Sequence, residues 1–112
     1  MSKLLSRYTS GKVPKAVKII PMLSNWEEVL ILTQPQNWSP QAVRYLTKIF
    51  ASNLKSNQAQ VFYEMVLLPH VRENLEMNKK LNWHLYMALK KACYKPKAFF
   101  KGIVLPLSEV VI

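Results

Sequence analysis

A run of lysines around residue 95, with a tyrosine among them, is the part of the sequence best suited to binding a ligand. No acidic residue occurs anywhere in residues 79–101. Closely spaced ammonium groups bind phosphate oxygens, and an aromatic ring beside them can stack on an unpaired base. This spacing predicts RNA contact, and the alternative is an ordinary solvated helix face. The predicted contacts in this run are Lys90, Lys91, Tyr94, Lys95, Lys97 and Lys101.

Aromatic residues of this region have a second interpretation. Trp83 and Tyr94 fall on one side of the same predicted helix, interleaved with lysines. They can stack on bases, but a stripe of large side chains at helical spacing more often packs against a neighbouring helix. We favour packing for this stripe and keep Tyr94 among the candidate RNA contacts.

A second basic group lies near the N-terminus. Glycine and prolines at positions 11, 14 and 21 interrupt any long helix there, so residues 1–23 are predicted to form an extended basic leader. Lysines in it alternate with small and apolar residues, as in a strap along RNA or a protein groove. The alternative is a disordered tail. The candidate contacts in this leader are Lys12, Lys15 and Lys18.

The overall composition narrows the function classes. The chain of 112 residues carries a formal charge of +10 and contains no aspartate, which points to a polyanionic partner. One cysteine, Cys93, cannot form an internal disulfide, and two histidines, His70 and His84, are not spaced as metal ligands. Phosphate-loop, dinucleotide and zinc-protease motifs are missing. We therefore predict a protein that is not an enzyme and has no metal or cofactor.

Membrane binding is also disfavoured by the sequence. No apolar run exceeds the five residues of Ile103–Leu107, which contains a proline and is far shorter than the ~20 residues that span a bilayer. On the basic helix, aromatic residues are mixed with lysines, whereas a helix lying on a membrane would separate them. We expect neither a membrane partner nor a small-molecule substrate.

The elements that must position the candidate residues are predicted to be helices. Capping residues near Ser24 predict a helix over about residues 25–33, and Ser39 followed by Pro40 predicts the start of another over about 40–54. In the second helix Thr47 falls on the polar side, whereas Asn53 falls within the apolar arc and is expected to be buried. The predicted buried arc contains Ala42, Val43, Leu46, Ile49, Phe50 and Leu54.

The rest of the chain also has helical periodicity. After Ser56 the apolar stripe changes phase near Pro69, which predicts a kink or break there. The next helix is predicted over Leu81–Tyr94, with His84 in a structural hydrogen bond and Cys93 as a small core residue. A further helix opens at Pro96. The core stripe of the Leu81–Tyr94 helix is Leu81, Leu85, Ala88, Leu89 and Ala92.

These patterns together predict an all-α fold. Apolar residues do not alternate with the period of two that strands require. Several short helices with short connections favour stacked helix pairs, an α-α superhelix of the HEAT type, over a closed bundle.

Several stretches of the sequence resemble the bystin family, also called the essential nuclear protein family. The similarity covers nearly the whole chain, although His70 and Lys97 depart from the usual family residues. The family members are longer, so the resemblance implies that residues 24–112 are the N-terminal part of a longer helical array, incomplete at its C-terminal end. The matching stretches include Leu5-Ser6-Arg7-Tyr8, Lys18-Ile19-Ile20-Pro21, Ile49-Phe50-Ala51-Ser52-Asn53-Leu54, Val66-Leu67-Leu68-Pro69 and Leu81-Asn82-Trp83-His84-Leu85-Tyr86-Met87-Ala88-Leu89-Lys90-Lys91-Ala92.

The resemblance also implies a function. Its implied role is that of a non-catalytic ribosome biogenesis factor, in the nucleus and nucleolus with passage to the cytoplasm. The implied partners are precursor small-subunit ribosomal RNA, preribosomes that contain small nucleolar RNA, and other assembly proteins. The alternative is a helical scaffold whose basic face binds an acidic protein, without direct RNA binding.

Overall fold

The structure is a computed structural model that describes residues 15–110, with the side chains of residues 17–108. Every regular element within this range is helical, which confirms the all-α prediction. In chain order the elements are α1 (Lys15–Lys18), a 3-10 turn (Ile20–Met22), α2 (Trp26–Leu32), a second 3-10 turn (Pro35–Asn37), α3 (Pro40–Asn53), α4 (Ser56–Phe62), a π turn (Tyr63–Leu67), α5 (Leu68–Asn78), α6 (Trp83–Ala92), α7 (Pro96–Phe99), a second π turn (Phe100–Val104) and α8 (Leu105–Val110).

The N-terminal segment differs from its prediction where the structure describes it. Residues 15–22 are not extended but form α1 and the first 3-10 turn. Pro21 stands at the start of that turn, where the missing N–H of proline removes no helical hydrogen bond. Val17 and Ile20 are buried in the core, and burial of these apolar side chains holds the segment in place. Residues 1–14, and with them Lys12, lie outside the described residues.

Helix α3 forms as predicted. Its N-cap is Ser39, whose hydroxyl oxygen accepts a hydrogen bond from the Ala42 N–H at 3.1 Å. The inner face carries Phe50, which stacks on Phe62 with ring centroids 4.4 Å apart and meets Trp26 edge to face at 6.3 Å. These rings join α2, α3 and α4 into one core.

Two polar residues of α3 differ from prediction in whether they are buried or exposed. Thr47 is fully buried, because α6 packs along α3 and covers the polar face of α3. That face would be solvated if α3 packed on one side only. Asn53 is exposed, and its side-chain N–H donates to the Ile49 carbonyl of the same helix at 2.7 Å. The local hydrogen bond satisfies this amide without burial.

The change of phase near Pro69 comes from a π turn and not from a break. Helices α4 and α5 are continuous through Tyr63–Leu67, where the Leu68 N–H reaches back five residues to the Tyr63 carbonyl. A π turn adds one residue to a helical turn, which rotates the apolar stripe by about 100°. The same arrangement recurs at Phe100–Val104, ahead of Pro106. In both places the widened turn ends two residues before a proline.

Helices α3 and α6 run side by side in the same direction. Near their N-terminal ends, Arg44 of α3 lies over the ring of Trp83 of α6. Near their C-terminal ends, Phe50 stacks on Phe62, and the neighbouring Tyr63 bonds to the Ala92 carbonyl. The continuous helix α4–α5 returns the chain between them. Stacking of such units into a longer superhelix stays a prediction.

Candidate nucleic-acid interface

Hydrogen bonds and apolar packing fix the orientation of α6, the helix that carries most candidate residues. Its N-cap Asn82 accepts from the His84 N–H at 2.8 Å, and the Asn82 N–H donates to the side chain of Asn74 on α5 at 2.7 Å. The predicted core stripe is confirmed, with Leu85, Ala88 and Ala92 buried and Leu81 and Leu89 packed against the core. The opposite face of α6 is thereby directed away from the core.

A buried tyrosine holds the other end of α6. The Tyr63 hydroxyl donates to the Ala92 carbonyl at 2.9 Å. Burial raises the pKa of Tyr63 far above its usual value, and the nearby Cys93 thiol raises this pKa further. The hydroxyl therefore stays protonated as a donor and fixes the turn that presents Tyr94 and Lys95.

The predicted lysines of this region reach solvent. Those at positions 90, 97 and 101 are exposed, and those at positions 91 and 95 are half-buried. Within residues 17–108, no carboxylate forms an ion pair with any of these five lysines. Their positive charges are therefore available to an outside anion, although Lys90 and Lys91 also face the negative end of the α6 dipole.

The tyrosine of this group stays open to solvent. Tyr94 has 60% of its surface exposed, and the Nζ atom of Lys91 lies 5.5 Å from its ring centroid. A cation over an aromatic face is a favourable arrangement. Among the described residues, Tyr94 is therefore not covered by a neighbouring helix, and its role as an RNA contact stays a prediction.

Arg44 and Trp83 form a second pair of this kind, and no sequence pattern singled out Arg44. Its guanidinium carbon lies 4.7 Å from the ring centroid of Trp83, which is 58% exposed. Arg44 belongs to α3 and Trp83 to α6, so their proximity depends on how the two helices pack. Helical periodicity places Arg44 on the polar side of α3, but it does not indicate which residue of another helix lies beside it.

The three leader lysines have different outcomes. Lys18 is half-buried at the end of α1, and α1 packs against the 3-10 turn that follows it. Lys15 belongs to α1, but its side chain, like the whole of Lys12, lies outside the described part. The structure therefore gives no arrangement that joins this group to the lysines of α6 and α7.

Two further residues depart from their predicted roles. Cys93 is exposed, because α6 ends at Ala92 and the turn that follows directs this side chain outward, where its thiol donates to the Leu89 carbonyl at 3.4 Å. The predicted structural hydrogen bond of the His84 ring is not seen at Nδ1, which is buried without a partner among the described residues. The His84 ring instead meets the Trp83 ring edge to face at 5.2 Å.

A polar cavity of about 280 Å³ lies between the start of α3, α5 and α6. His70 and Glu73 line it beside the indole of Trp38. The Nε2 atom of His70 donates to the Pro35 carbonyl at 2.7 Å, so this nitrogen is engaged in holding the second 3-10 turn. The described lining has no serine, threonine or cysteine that a histidine base would activate.

No helix within residues 15–110 combines the length and apolar character needed to cross a bilayer.

Comparison with known proteins places this arrangement in a family. The sequence model of the family described as bystin matches residues 1–111. The chain belongs to the bystin family. Among its curated relatives, bystin of Bos taurus and bystin of Homo sapiens are each 59% identical over 107 residues, and an uncharacterized protein of Schizosaccharomyces pombe is 60% identical over 106 residues.

The three matches cover 95–96% of this chain but only 24–25% of each relative. The chain thus spans about a quarter of the length of the curated relatives it matches. The helices and the basic surface described above belong to that quarter of the family sequence.

Proposed function

We propose that this chain acts in ribosome biogenesis by binding precursor small-subunit ribosomal RNA and assembly proteins, without catalysing a reaction. The observation that carries the proposal is the set of five lysines between the last turn of α6 and the second π turn, which have no described carboxylate partner. Family membership supports it, together with the role that the resemblance implies. The working location is the nucleus and nucleolus, with passage to the cytoplasm, and the RNA partners include preribosomes that contain small nucleolar RNA.

The physical basis of binding is neutralisation of phosphates. Each ammonium group that meets a phosphate releases condensed counterions, so affinity falls as salt rises. Clustering matters because a rigid backbone presents several charges together, so binding costs side-chain but no backbone conformational entropy. Lys91 lies in the last turn of α6, Lys95 is the N-cap of α7, and Lys97 follows directly after the helix start at Pro96.

A protein-interaction scaffold is the second candidate, and one observation favours it. Large apolar side chains are exposed on α2 and on the 3-10 turn before it, including Leu32 at 77% and Met22 at 70%. A contiguous exposed apolar surface often marks a protein interface. In this alternative, the basic face binds an acidic protein and RNA binding is weak.

The experiment compares two variants that lose the same charge. In the first, Lys95 and Lys97 are replaced by Gln; in the control, Lys48 and Lys55, which are exposed and lie outside residues 79–101, are replaced by Gln. RNA binding of both and of the parent is measured at three salt concentrations, with precursor small-subunit RNA and with an unrelated RNA of equal length.

We expect the first variant to bind more weakly than the control variant. The slope of log K against log salt should become shallower by roughly 0.7 to 0.9 for each phosphate that the variant no longer neutralises. Equal slopes in the two variants would remove this surface from the RNA interface. Undetectable binding by the parent at low salt, with retention of an acidic protein partner, would favour the scaffold.

A further inference from the structure

Two exposed aromatic rings, that of Trp83 at the start of α6 and that of Tyr94 in the turn after α6, suggest which form of RNA this surface binds. Trp83 and Tyr94 are 58% and 60% exposed, and each has a cation near its ring. Trp83 is the first residue of α6, and Tyr94 lies in the turn that follows the last residue of the helix, Ala92. The two rings therefore mark the two ends of α6.

Neither ring is accounted for by the core. The buried stripe of α6 runs through Leu85, Ala88 and Ala92, on the opposite side of the helix. Exposing large aromatic surface costs free energy, and a helix of this length could carry smaller polar residues at both positions. The guanidinium of Arg44 and the ammonium of Lys91 hold the rings in place while leaving more than half of each residue accessible.

We propose that Trp83 and Tyr94 are stacking platforms for two bases of an unpaired RNA segment that runs along α6. This inference rests on the RNA binding proposed above and names the class of RNA. In a duplex the base faces are covered by their stacked neighbours, whereas unpaired bases can turn outward onto aromatic rings. The lysines at positions 90 and 91 lie between the two platforms in the chain, where phosphates of the same strand would pass.

The spacing of the platforms fits a short segment. The ten residues of α6 correspond to about 15 Å along its axis, and Tyr94 lies just beyond the end of the helix. A strand with stacked bases advances about 3.4 Å per nucleotide. Several nucleotides therefore lie between the two stacked bases, and a loop or linker of an RNA fold is long enough to supply them.

The test uses the 112-residue chain and one RNA sequence in two forms. A 12-nucleotide single strand is compared with the same strand annealed to its complement. The variants Trp83→Leu and Tyr94→Leu remove the rings, and Trp83→Phe and Tyr94→Phe restore an aromatic face. Tyr86→Leu is the matched control, because Tyr86 is 51% exposed on the same helix but lies at the flank of the stripe.

We expect each leucine variant to bind the single strand about tenfold more weakly, with the salt slope unchanged and duplex binding unaffected. The phenylalanine variants should recover most of the affinity, and Tyr86→Leu should match the parent. Binding should also quench the fluorescence of the parent but not that of Trp83→Phe, because Trp26 and Trp38 are buried.

Two results would overturn the proposal, and they are distinguishable. If strand and duplex both bind in a salt-dependent way and the leucine variants bind as tightly as the parent, stacking is overturned but RNA binding stands. Failure of the parent to bind either form at low salt would overturn both stacking and the proposed function.

Discussion

Gly102 lies where the second π turn passes closest to α4. A Cβ atom built on Gly102 would be 3.1 Å from the Gln60 carbonyl oxygen and 3.2 Å from the Tyr63 Cβ. The first is backbone and the second is bonded directly to backbone, so neither can move without shifting a helix. Gly102 therefore sets the distance between two helices and, through Tyr63, the position of the turn after α6.

Gly102→Ala should lower the stability of the chain. Alanine favours a helix by about 1 kcal/mol over glycine, but overpacking at a close contact costs about 1–3 kcal/mol. The net loss should appear as a lower urea midpoint. Lys101→Ala, at an exposed neighbouring position, is the control and should leave the midpoint nearly unchanged. A midpoint for Gly102→Ala at or above that of the parent would show that the two helices separate without cost.

Ionisation of Tyr63 is expected to lower the stability of the folded chain at alkaline pH. Its pKa is raised in the folded state by burial, whereas in the unfolded chain a tyrosine ionises near pH 10. Above pH 10 the unfolded state loses a proton that the folded state keeps, so the contribution of Tyr63 to stability is present below pH 10 and is lost as pH rises.

Tyr63→Phe should be less stable than the parent at pH 7 by about 1 kcal/mol, because the hydrogen bond to the Ala92 carbonyl is lost. This difference should shrink between pH 9 and pH 11, since phenylalanine does not ionise. Urea unfolding at several pH values measures it, with Tyr94→Phe as the exposed control. A difference that stays constant across this range would contradict the account of Tyr63.

At the scale of elements, helical periodicity in the sequence was sufficient to predict α3, α6 and the buried stripe of α6, whereas α2 was predicted from capping residues and forms without a side-chain cap hydrogen bond. Periodicity failed where a second neighbour covers a helix. Thr47 lies on the side of α3 that periodicity predicts to be polar, yet α6 packs against that side and buries Thr47. It also failed at Asn53 and Cys93, where a helix end and a turn, and not periodicity, decide exposure. The sequence shows the change of phase near Pro69, but it does not show that a π turn causes this change.

Leu85→Asp should unfold the domain, whereas Tyr86→Asp should not. Leu85 is buried at the packed face of α6, and an unpaired carboxylate there costs several kcal/mol. Tyr86 is half-exposed, so a charge at that position stays in water. Thermal unfolding followed by circular dichroism compares the two. A parent-like melting curve for Leu85→Asp would show that the inner face of α6 is misplaced.

At the scale of the whole molecule, charge was the strongest signal in the sequence, and the lysines that it singled out between positions 90 and 101 are exposed or half-buried. Runs of lysine without acidic residues can be recognised in the sequence alone, and exposure of these lysines is expected because burying a charge costs free energy. The Arg44–Trp83 pair was not predictable in this way, because 39 residues separate its members and only the parallel packing of α3 and α6 brings them together.

The most direct test of the central claim is crosslinking in cells. The tagged chain is irradiated in place, purified under denaturing conditions, and the attached RNA is sequenced beside that of an unrelated basic protein of similar charge. We expect reads concentrated in precursor small-subunit ribosomal RNA, and a marked loss of them when Lys95 and Lys97 are replaced by Gln. Reads distributed like those of the unrelated protein, or no crosslinked RNA at all, would contradict the claim.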